Sequence, residues 1–192
     1  MDSRPPYQVP SAETAPPTEW TVRRILEWTV SHLARHGSES PRLVRLVEAM
    51  TAGGLHAPMQ KDIRGQIWTK MINSLCWNQA AFLTEAINGE FGGAPDVVEV
   101  VRRMMVEMEA VAVALGARIP VPMVKRIDMT VRAVDHKMSM LQDLERGRPI
   151  EIDVLADSVA AMSEAAGIET PTVNSLLALT KLKGRMRGVY GR

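Results

Sequence analysis

Apolar residues recur along this chain at the three- and four-residue spacing that places them on one face of a helix. Segments with this spacing begin near residues 19, 40, 62, 95, 122, 139, 151 and 170. The alternation of apolar and polar residues that is typical of strands is nowhere long enough for a sheet. The short stretch 55–59 is the one plausible strand, and Pro58 weakens it. We therefore predict an all-α fold of about eight helices with short connections.

Capping residues and glycines indicate where these helices begin and end. Ser40 and Thr170, each followed by proline, are typical of the start of a helix. Glycines at positions 53, 116, 147 and 167 follow apolar segments, where helices commonly end. The longest segment, 62–86, is expected to be interrupted near Asn78.

The composition is that of an ordinary soluble protein: 23% of the 192 residues are charged, 46% are hydrophobic and the net charge is +1. A charge so close to zero gives no general attraction to nucleic acid or to anionic lipid. No apolar run approaches the roughly 18–20 residues that span a bilayer, and the N-terminus lacks the apolar core of a secretory signal. The single cysteine, Cys76, excludes an internal disulfide and fits a reducing compartment. We expect a cytoplasmic protein that binds neither nucleic acid nor membranes.

The two ends of the chain, the cysteine and the histidines are expected to have no catalytic or metal-binding role. The first 18 residues contain five prolines and should form an irregular, mobile leader. From Lys181 onward the chain is basic and has no acidic residue, which is typical of a solvated, mobile tail. Cys76 is expected to be a small core residue, and the four histidines show no metal-binding spacing.

Polar side chains interrupt two of the helical segments. Residues 67–90 read IWTKMINSLCWNQAAFLTEAINGE, and residues 139–153 read SMLQDLERGRPIEID. In the first, Lys70 is followed one turn later by Asn73 or Ser74 and two turns later by Asn78, so these side chains lie along one helix face. Such a stripe could bind one small oxygen-rich ligand. The alternative is an ordinary solvated helix face.

Together the two segments resemble the C-terminal helical domain of the ketopantoate reductases, NADPH-dependent enzymes that reduce a 2-keto acid on the route to pantothenate. The family pattern is Trp-x-Lys, asparagines four and eight residues after the lysine, Asn-Gly-Glu, then Ser-Met-Leu-Gln-Asp, a Gly-Arg loop and Glu-Ile-Asp. The residues that fall on this pattern are Lys70, Asn78, 88–90, 139–143, Gly147, Arg148 and 151–153. The resemblance extends over about residues 38–183 and implies the multi-helix fold of those domains.

The resemblance also implies a role for each matching polar residue. Lys70 would be the general acid that protonates the carbonyl oxygen of the substrate, and Glu151 would hydrogen-bond the substrate and help to set the charge of the lysine. Substrate-binding roles would fall to Asn73, Ser74, Asn78, Asn88 and Ser139. The alternatives are structural: Ser139 and Glu151 could cap helices, and Asn88 with Gly89 could form only a turn.

The sequence departs from the family pattern at several of these positions. Ser74 stands four residues after Lys70, where the family has asparagine, and Asn73 lies one residue earlier. Gln79 replaces a proline, and His136 replaces an asparagine as a substitute hydrogen-bond donor. These changes bear on which 2-keto acid is bound rather than on the fold.

A nucleotide-binding half is not apparent in the sequence. The family implies NADPH, but the 13 glycines form no Gly-x-Gly-x-x-Gly loop, and no run of strands precedes Gly53. We therefore divide the chain into a leader with one unplaced helix (1–37), the end of a Rossmann domain (38–60), a substrate domain (61–184) and a basic tail (185–192).

Two classes of function follow from this division. In the first, the chain is the substrate-binding and catalytic domain of a 2-keto acid reductase, binds a small acid such as ketopantoate, and is incomplete without a separate Rossmann domain. In the second, it is a non-enzymatic helical module that binds a small acid or a protein partner, which includes a second copy of itself in a homodimer.

Overall fold

The structure, a computed structural model, describes residues 40–55, 59 and 62–191. These residues form seven α-helices and one 3-10 helix and contain no strand, which confirms the all-α prediction. In chain order they are α1 (Pro41–Ala52), α2 (Ile63–Thr84), η1 (Asn88–Gly93), α3 (Pro95–Ala114), α4 (Met123–Arg132), α5 (Ser139–Glu145), α6 (Ile152–Ala166) and α7 (Pro171–Met186). The predicted leader and the helix expected near residue 19 lie outside the described residues, as does most of the stretch 55–59. None of these helices has the length and apolarity needed to cross a bilayer.

The chain divides into two units, residues 1–63 and 64–192. In the first unit, α1 begins where the sequence predicts. Ser40 Oγ accepts a hydrogen bond from Leu43 N at 3.2 Å and so satisfies one of the amides that a helix start leaves without a partner. No residue of α1 is buried.

In the second unit, α2 is the central helix. Every residue from Leu75 to Phe82 is buried, so this part of the helix is enclosed on all sides. The helix runs unbroken from Ile63 to Thr84, and the predicted interruption near Asn78 is wrong. The Asn78 amide donates to Ser74 O, one turn earlier in the same helix, at 2.7 Å. Its polar side chain is therefore satisfied without opening the backbone.

The core around α2 contains more aliphatic side chains and methionines than aromatic rings. From α3 it receives one valine and three methionines, each at most 1% exposed: Val101, Met104, Met105 and Met108. One aromatic pair is buried with them, since the ring centroids of Trp77 and Phe91 lie 5.2 Å apart. α3 also packs against η1, α4, α6 and α7, and its buried side chains belong to the same core as those of α2.

The basic end of the chain, predicted to be a solvated tail, continues α7 as far as Met186 and is packed against this unit at Lys183 and Val189, while Arg185, Arg187 and Gly191 are exposed. Lys183 Nζ donates to the carbonyl oxygens of Phe82 and Leu83, at 2.7 and 2.8 Å. These carbonyls belong to the last turn of α2, where unpaired acceptors favour a cation. Lys183 also lies 2.9 Å from Glu85, and its hydrogen bond holds the pKa of that carboxyl below its ordinary value.

The residues after α7 return to the core. Val189 is 4% exposed; its N–H donates to Gly184 O at 3.0 Å, and its carbonyl accepts from Ile150 N at 2.9 Å. Tyr190 Oη donates to Asp153 Oδ1 at 2.7 Å. Gly184 permits this return, because a Cβ at that position would lie 2.8 Å from Tyr190 Cβ. The chain end therefore joins α7 to the start of α6.

Candidate functional site

A cleft of about 420 Å³ lies between α2, η1 and α4 in the second unit. Its polar lining consists of Thr69, Asn73, Ser74, Asn88, Arg126, Thr130 and His136. Its apolar lining consists of Trp77, Val121, Met129, Ala133 and Met138. Apolar walls with a few polar groups, at this volume, are typical of a site for a small molecule.

The cleft is shaped by a close approach between η1 and the loop that follows α4. Asn88 N donates to His136 O and Gly89 N donates to Val134 O, both at 3.1 Å. Position 89 requires glycine, because a Cβ there would lie 2.9 Å from Val134 O. Asn88 and Gly89 therefore form a turn, as the structural alternative predicts, and the same turn places the Asn88 side chain in the cleft wall.

The structure brings three of the predicted substrate-binding residues into this cleft. Asn73 and Ser74 line it from α2, and Asn88 lines it from η1. His136, the predicted substitute donor, lines the cleft from the loop after α4, beside Asn88. Four of the polar residues that the sequence predicts for the site therefore line one cleft.

Asn78 and Ser139 contact each other but are not part of the cleft lining. Asn78 Oδ1 accepts from Met140 N at 2.9 Å and from Ser139 Oγ at 3.3 Å, while its Nδ2 donates to Ser74 O. The amide is therefore used mainly to join α2 to the first turn of α5, whose N–H groups lack partners within the helix. Ser139 is bound to Asn78 and makes no cap of its own.

Lys70 and Glu151, the predicted catalytic pair, are both exposed and lie outside the cleft lining. Lys70 follows Thr69, which does line the cleft, but its ammonium makes no hydrogen bond or ion pair with the residues that the structure describes. Glu151 occupies the position before α6, yet its side chain makes no capping hydrogen bond. Neither Lys70 nor Glu151 therefore lines the cleft together with Asn73, Ser74 and Asn88.

Arg126 is the one charged residue among the described residues of the cleft lining, and the sequence did not predict it as a site residue. Its side chain is 2% exposed and donates to Asn73 Oδ1 at 2.8 Å, to Val121 O at 3.1 Å and to Glu109 Oε1. Burial lowers the pKa of the guanidinium from its ordinary value. A cation buried this deeply needs a counter-charge and several acceptors, and Glu109 and the two oxygens supply them.

Helical spacing within α4 did not single out Arg126. The apolar stripe of that segment, Val124, Ile127 and Val131, lies about 100° or more around the helix from Arg126. Its partner Glu109 lies on α3, so spacing within α4 could not identify the pair.

Two polar atoms of the cleft residues are buried without a hydrogen-bond partner among the described residues. They are Trp77 Nε1, a donor, and Asn88 Oδ1, an acceptor. Trp77 and Asn88 are each at most 1% exposed. Because buried polar atoms in proteins are nearly always paired, such atoms indicate a site that is completed by a bound water or ligand.

The described residues do not suit the phosphates of a dinucleotide. That site requires a glycine-rich turn between a strand and a helix, and the described part of the chain contains no strand. It also contains no group of three or more histidine, cysteine or acidic side chains that could bind a metal ion. Cys76 is fully buried in the core, and burial raises the pKa of its thiol.

Comparison with known proteins identifies relatives over most of this chain. A family model described as "Ketopantoate reductase PanE/ApbA C terminal" matches residues 62–184, which confirms the resemblance seen in the sequence. The curated 2-dehydropantoate 2-reductase of Mesorhizobium japonicum is 38% identical over 154 residues, which are 80% of this chain and 47% of that protein. The protein of the same name from Archaeoglobus fulgidus is 26% identical over 145 residues, 76% of this chain and 49% of that protein.

Comparison with solved structures identifies the same family. A crystal structure of a PanE/ApbA family ketopantoate reductase from Ralstonia eutropha superposes with a TM-score of 0.69 at 27% sequence identity. The match covers 78% of this chain and 50% of that one. The chain thus spans about half the length of the curated relatives that it matches.

Proposed function

Since this chain belongs to the family of ketopantoate reductase C-terminal domains, we propose that it binds the substrate of a 2-keto acid reductase and donates a proton to it. The observation that carries the proposal is the cleft, in which Asn73, Ser74 and Asn88 lie together beside buried polar atoms that lack partners. Its size suits a small acid such as ketopantoate.

In this proposal the polar lining binds the oxygen atoms of the keto acid. The keto and carboxylate oxygens of the acid only accept hydrogen bonds, so they require donors, and the amide nitrogens of Asn73 and Asn88 and the hydroxyl of Ser74 can donate. The apolar lining around Trp77 and Met129 would contact the hydrocarbon part of the substrate. Hydrogen bonds to a carboxylate are the stronger, charge-assisted kind, so these donors should provide much of the affinity.

Lys70 is proposed as the proton donor to the keto oxygen. It follows the cleft residue Thr69 in α2, and its long, flexible side chain would have to turn towards a bound substrate. Glu151 is proposed to hydrogen-bond the substrate, as the resemblance to the family implies. NADPH, the reductant of the family, would be bound by a separate nucleotide-binding domain, because the described residues do not provide its phosphate site.

The binding part of this proposal is tested by calorimetric titration of the chain with ketopantoate. Asn88→Ala should weaken binding about tenfold or more, because a hydrogen bond to a charged group is worth roughly 1.5–3 kcal/mol. The variant should fold normally, since the Asn88 side-chain oxygen has no partner to lose. Asn174→Ala, the same change at an exposed position of α7, should leave the affinity unchanged. Absence of binding by the unaltered chain would refute the proposal.

A second candidate is a non-enzymatic module that binds a small acid. The observation that favours it is the placement of Lys70 and Glu151, which are exposed and outside the cleft lining. The two functions differ in the effect of a supplied nucleotide-binding half, such as that of the Mesorhizobium japonicum relative. A reductase should then oxidise NADPH with ketopantoate, and Lys70→Ala should abolish this activity. Unchanged ketopantoate binding with no NADPH oxidation would favour the module.

A further inference from the structure

We propose that Arg126 is a positioning residue, which orients the Asn73 amide so that it presents only its N–H groups to the ligand. The inference rests on the proposed function, because it concerns how the same cleft recognises an acid. Arg126 Nη1 lies 2.8 Å from the Asn73 side-chain amide. A guanidinium has donors and no acceptor, so the amide atom that faces it must be the oxygen. Nδ2 is then the group that remains for the cleft.

Arg126 is itself held in one orientation. Its Nε donates to Val121 O, its Nη1 to Asn73 and its Nη2 to Glu109, so three separate partners fix the plane of the guanidinium. The side chain is 2% exposed, which leaves it little room to turn. Glu109 neutralises its charge, so we assign Arg126 to orienting Asn73 rather than to binding an anion directly.

The other asparagines near the cleft are not oriented in this way. The Asn78 amide is used on both sides by contacts with Ser74, Ser139 and Met140. The Asn88 side-chain oxygen has no partner among the described residues. Asn73 is therefore the one described asparagine of the lining whose polarity the protein itself fixes, and a fixed donor suits the acceptor-only oxygens of a 2-keto carboxylate.

The inference is tested with Asn73→Asp, which replaces Nδ2 by a second oxygen at nearly constant shape. The aspartate keeps an acceptor for Arg126, so the melting temperature should not fall. Ketopantoate should bind about tenfold more weakly or worse, because a donor is lost and a like charge faces the ligand. Asn174→Asp makes the same change of charge at an exposed position of α7 and should leave the affinity unchanged.

A second variant, Arg126→Met, tests the role of the arginine. Without the guanidinium the Asn73 amide can rotate, so Asn73→Ala should weaken ketopantoate binding less in the Arg126→Met background than in the unaltered chain. If Arg126→Met does not fold, the test rests on the ketopantoate affinity of Asn73→Asp. If the unaltered chain binds ketopantoate and Asn73→Asp binds it equally well, the orientation of Asn73 plays no part and this inference is overturned, while the proposed function stands. If the unaltered chain does not bind ketopantoate at all, the proposed function fails and the inference fails with it.

Discussion

At the scale of single residues, Asn78 joins two helices that are distant in sequence. Its side chain is on α2, and its Oδ1 accepts from Met140 N, in the first turn of α5, at 2.9 Å. Its Nδ2 is occupied by Ser74 O in the same helix. Asn78 is 8% exposed, and Met140 is 7% exposed, so water cannot easily replace either bond. The residue is therefore a structural link at the edge of the candidate site.

Replacing this link should reduce stability. Asn78→Ala should lower the free energy of unfolding by about 1–3 kcal/mol, because it leaves the buried Met140 N–H without an acceptor. Ser139→Ala should cost less, since the Ser139 hydroxyl is exposed and its contact with Asn78 is longer, 3.3 Å. Urea denaturation followed by circular dichroism measures both values. Equal losses for the two variants would contradict the assignment of Asn78 as the main link.

The sequence predicts which positions near the site are polar, but not what each polar group contacts. The predicted stripe on α2 contains Lys70, then Asn73 or Ser74, then Asn78, yet only Asn73 and Ser74 of these residues line the cleft. The distinction depends on partners from other helices: Arg126 of α4 faces Asn73, and Met140 of α5 faces Asn78. Such partners are set by tertiary packing, which residue spacing along one helix does not contain.

At the scale of elements, α7 and the residues after it close the second unit. The return of the chain to the core requires Gly184, whose absent side chain leaves room for Tyr190 and for Ile150. Val189 is buried there and bonds to both Gly184 and Ile150 through its backbone. The end of the chain is thus part of the hydrophobic core.

Gly184→Ala should destabilise the protein although alanine favours helices. The new Cβ would lie 2.8 Å from Tyr190 Cβ, and this atom is close to the backbone and cannot move alone. Overpacking of this kind costs about 1–3 kcal/mol, more than the gain of roughly 1 kcal/mol in helix propensity. Gly93→Ala is the matched control, because a Cβ there meets nothing within 4 Å. We expect a lower melting temperature for Gly184→Ala and no decrease for Gly93→Ala. A higher melting temperature for Gly184→Ala would show that the residues around Tyr190 move aside without destabilising the fold.

Local sequence signals predict where the helices begin, but they do not predict which residues hydrogen-bond to the ends of those helices. α7 begins at Pro171 after Thr170, as its capping residues predict, but the Thr170 side chain makes no capping bond. Instead the Glu107 carboxylate, from α3, accepts from Thr172 N and Val173 N. α2 is continuous where an interruption was predicted, because Asn78 bonds to Ser74 O within the helix and to Met140 N of α5. The basic end is partly packed because Lys183 bonds to the last carbonyls of α2, partners that the local sequence does not indicate.

At the scale of the whole molecule, the described second unit corresponds closely to the C-terminal domain of the family model. It contains the candidate acid-binding cleft, and Lys70 follows the cleft residue Thr69 in the sequence. The family match covers residues 62–184, and the chain spans about half the length of its curated relatives. The sequence has no Gly-x-Gly-x-x-Gly loop, and the described residues have no strand on which such a loop could be built. The proposed function therefore assigns substrate binding to this chain and hydride supply to a separate nucleotide-binding domain.

The last prediction follows from this separation: the chain alone should bind ketopantoate but should neither bind NADPH tightly nor reduce ketopantoate at an enzyme-like rate. Correct placement of two reactants contributes of order 7–11 kcal/mol to catalysis in favourable cases, and the described residues provide no means of placing the dinucleotide. Calorimetric titrations with NADPH and with ketopantoate, and the loss of NADPH absorbance when both are present, measure the three quantities. Asn88→Ala, which should weaken ketopantoate binding, verifies that the binding signal comes from the cleft. Turnover of about 1 per second or more by the chain alone would show that it contains a nucleotide site after all.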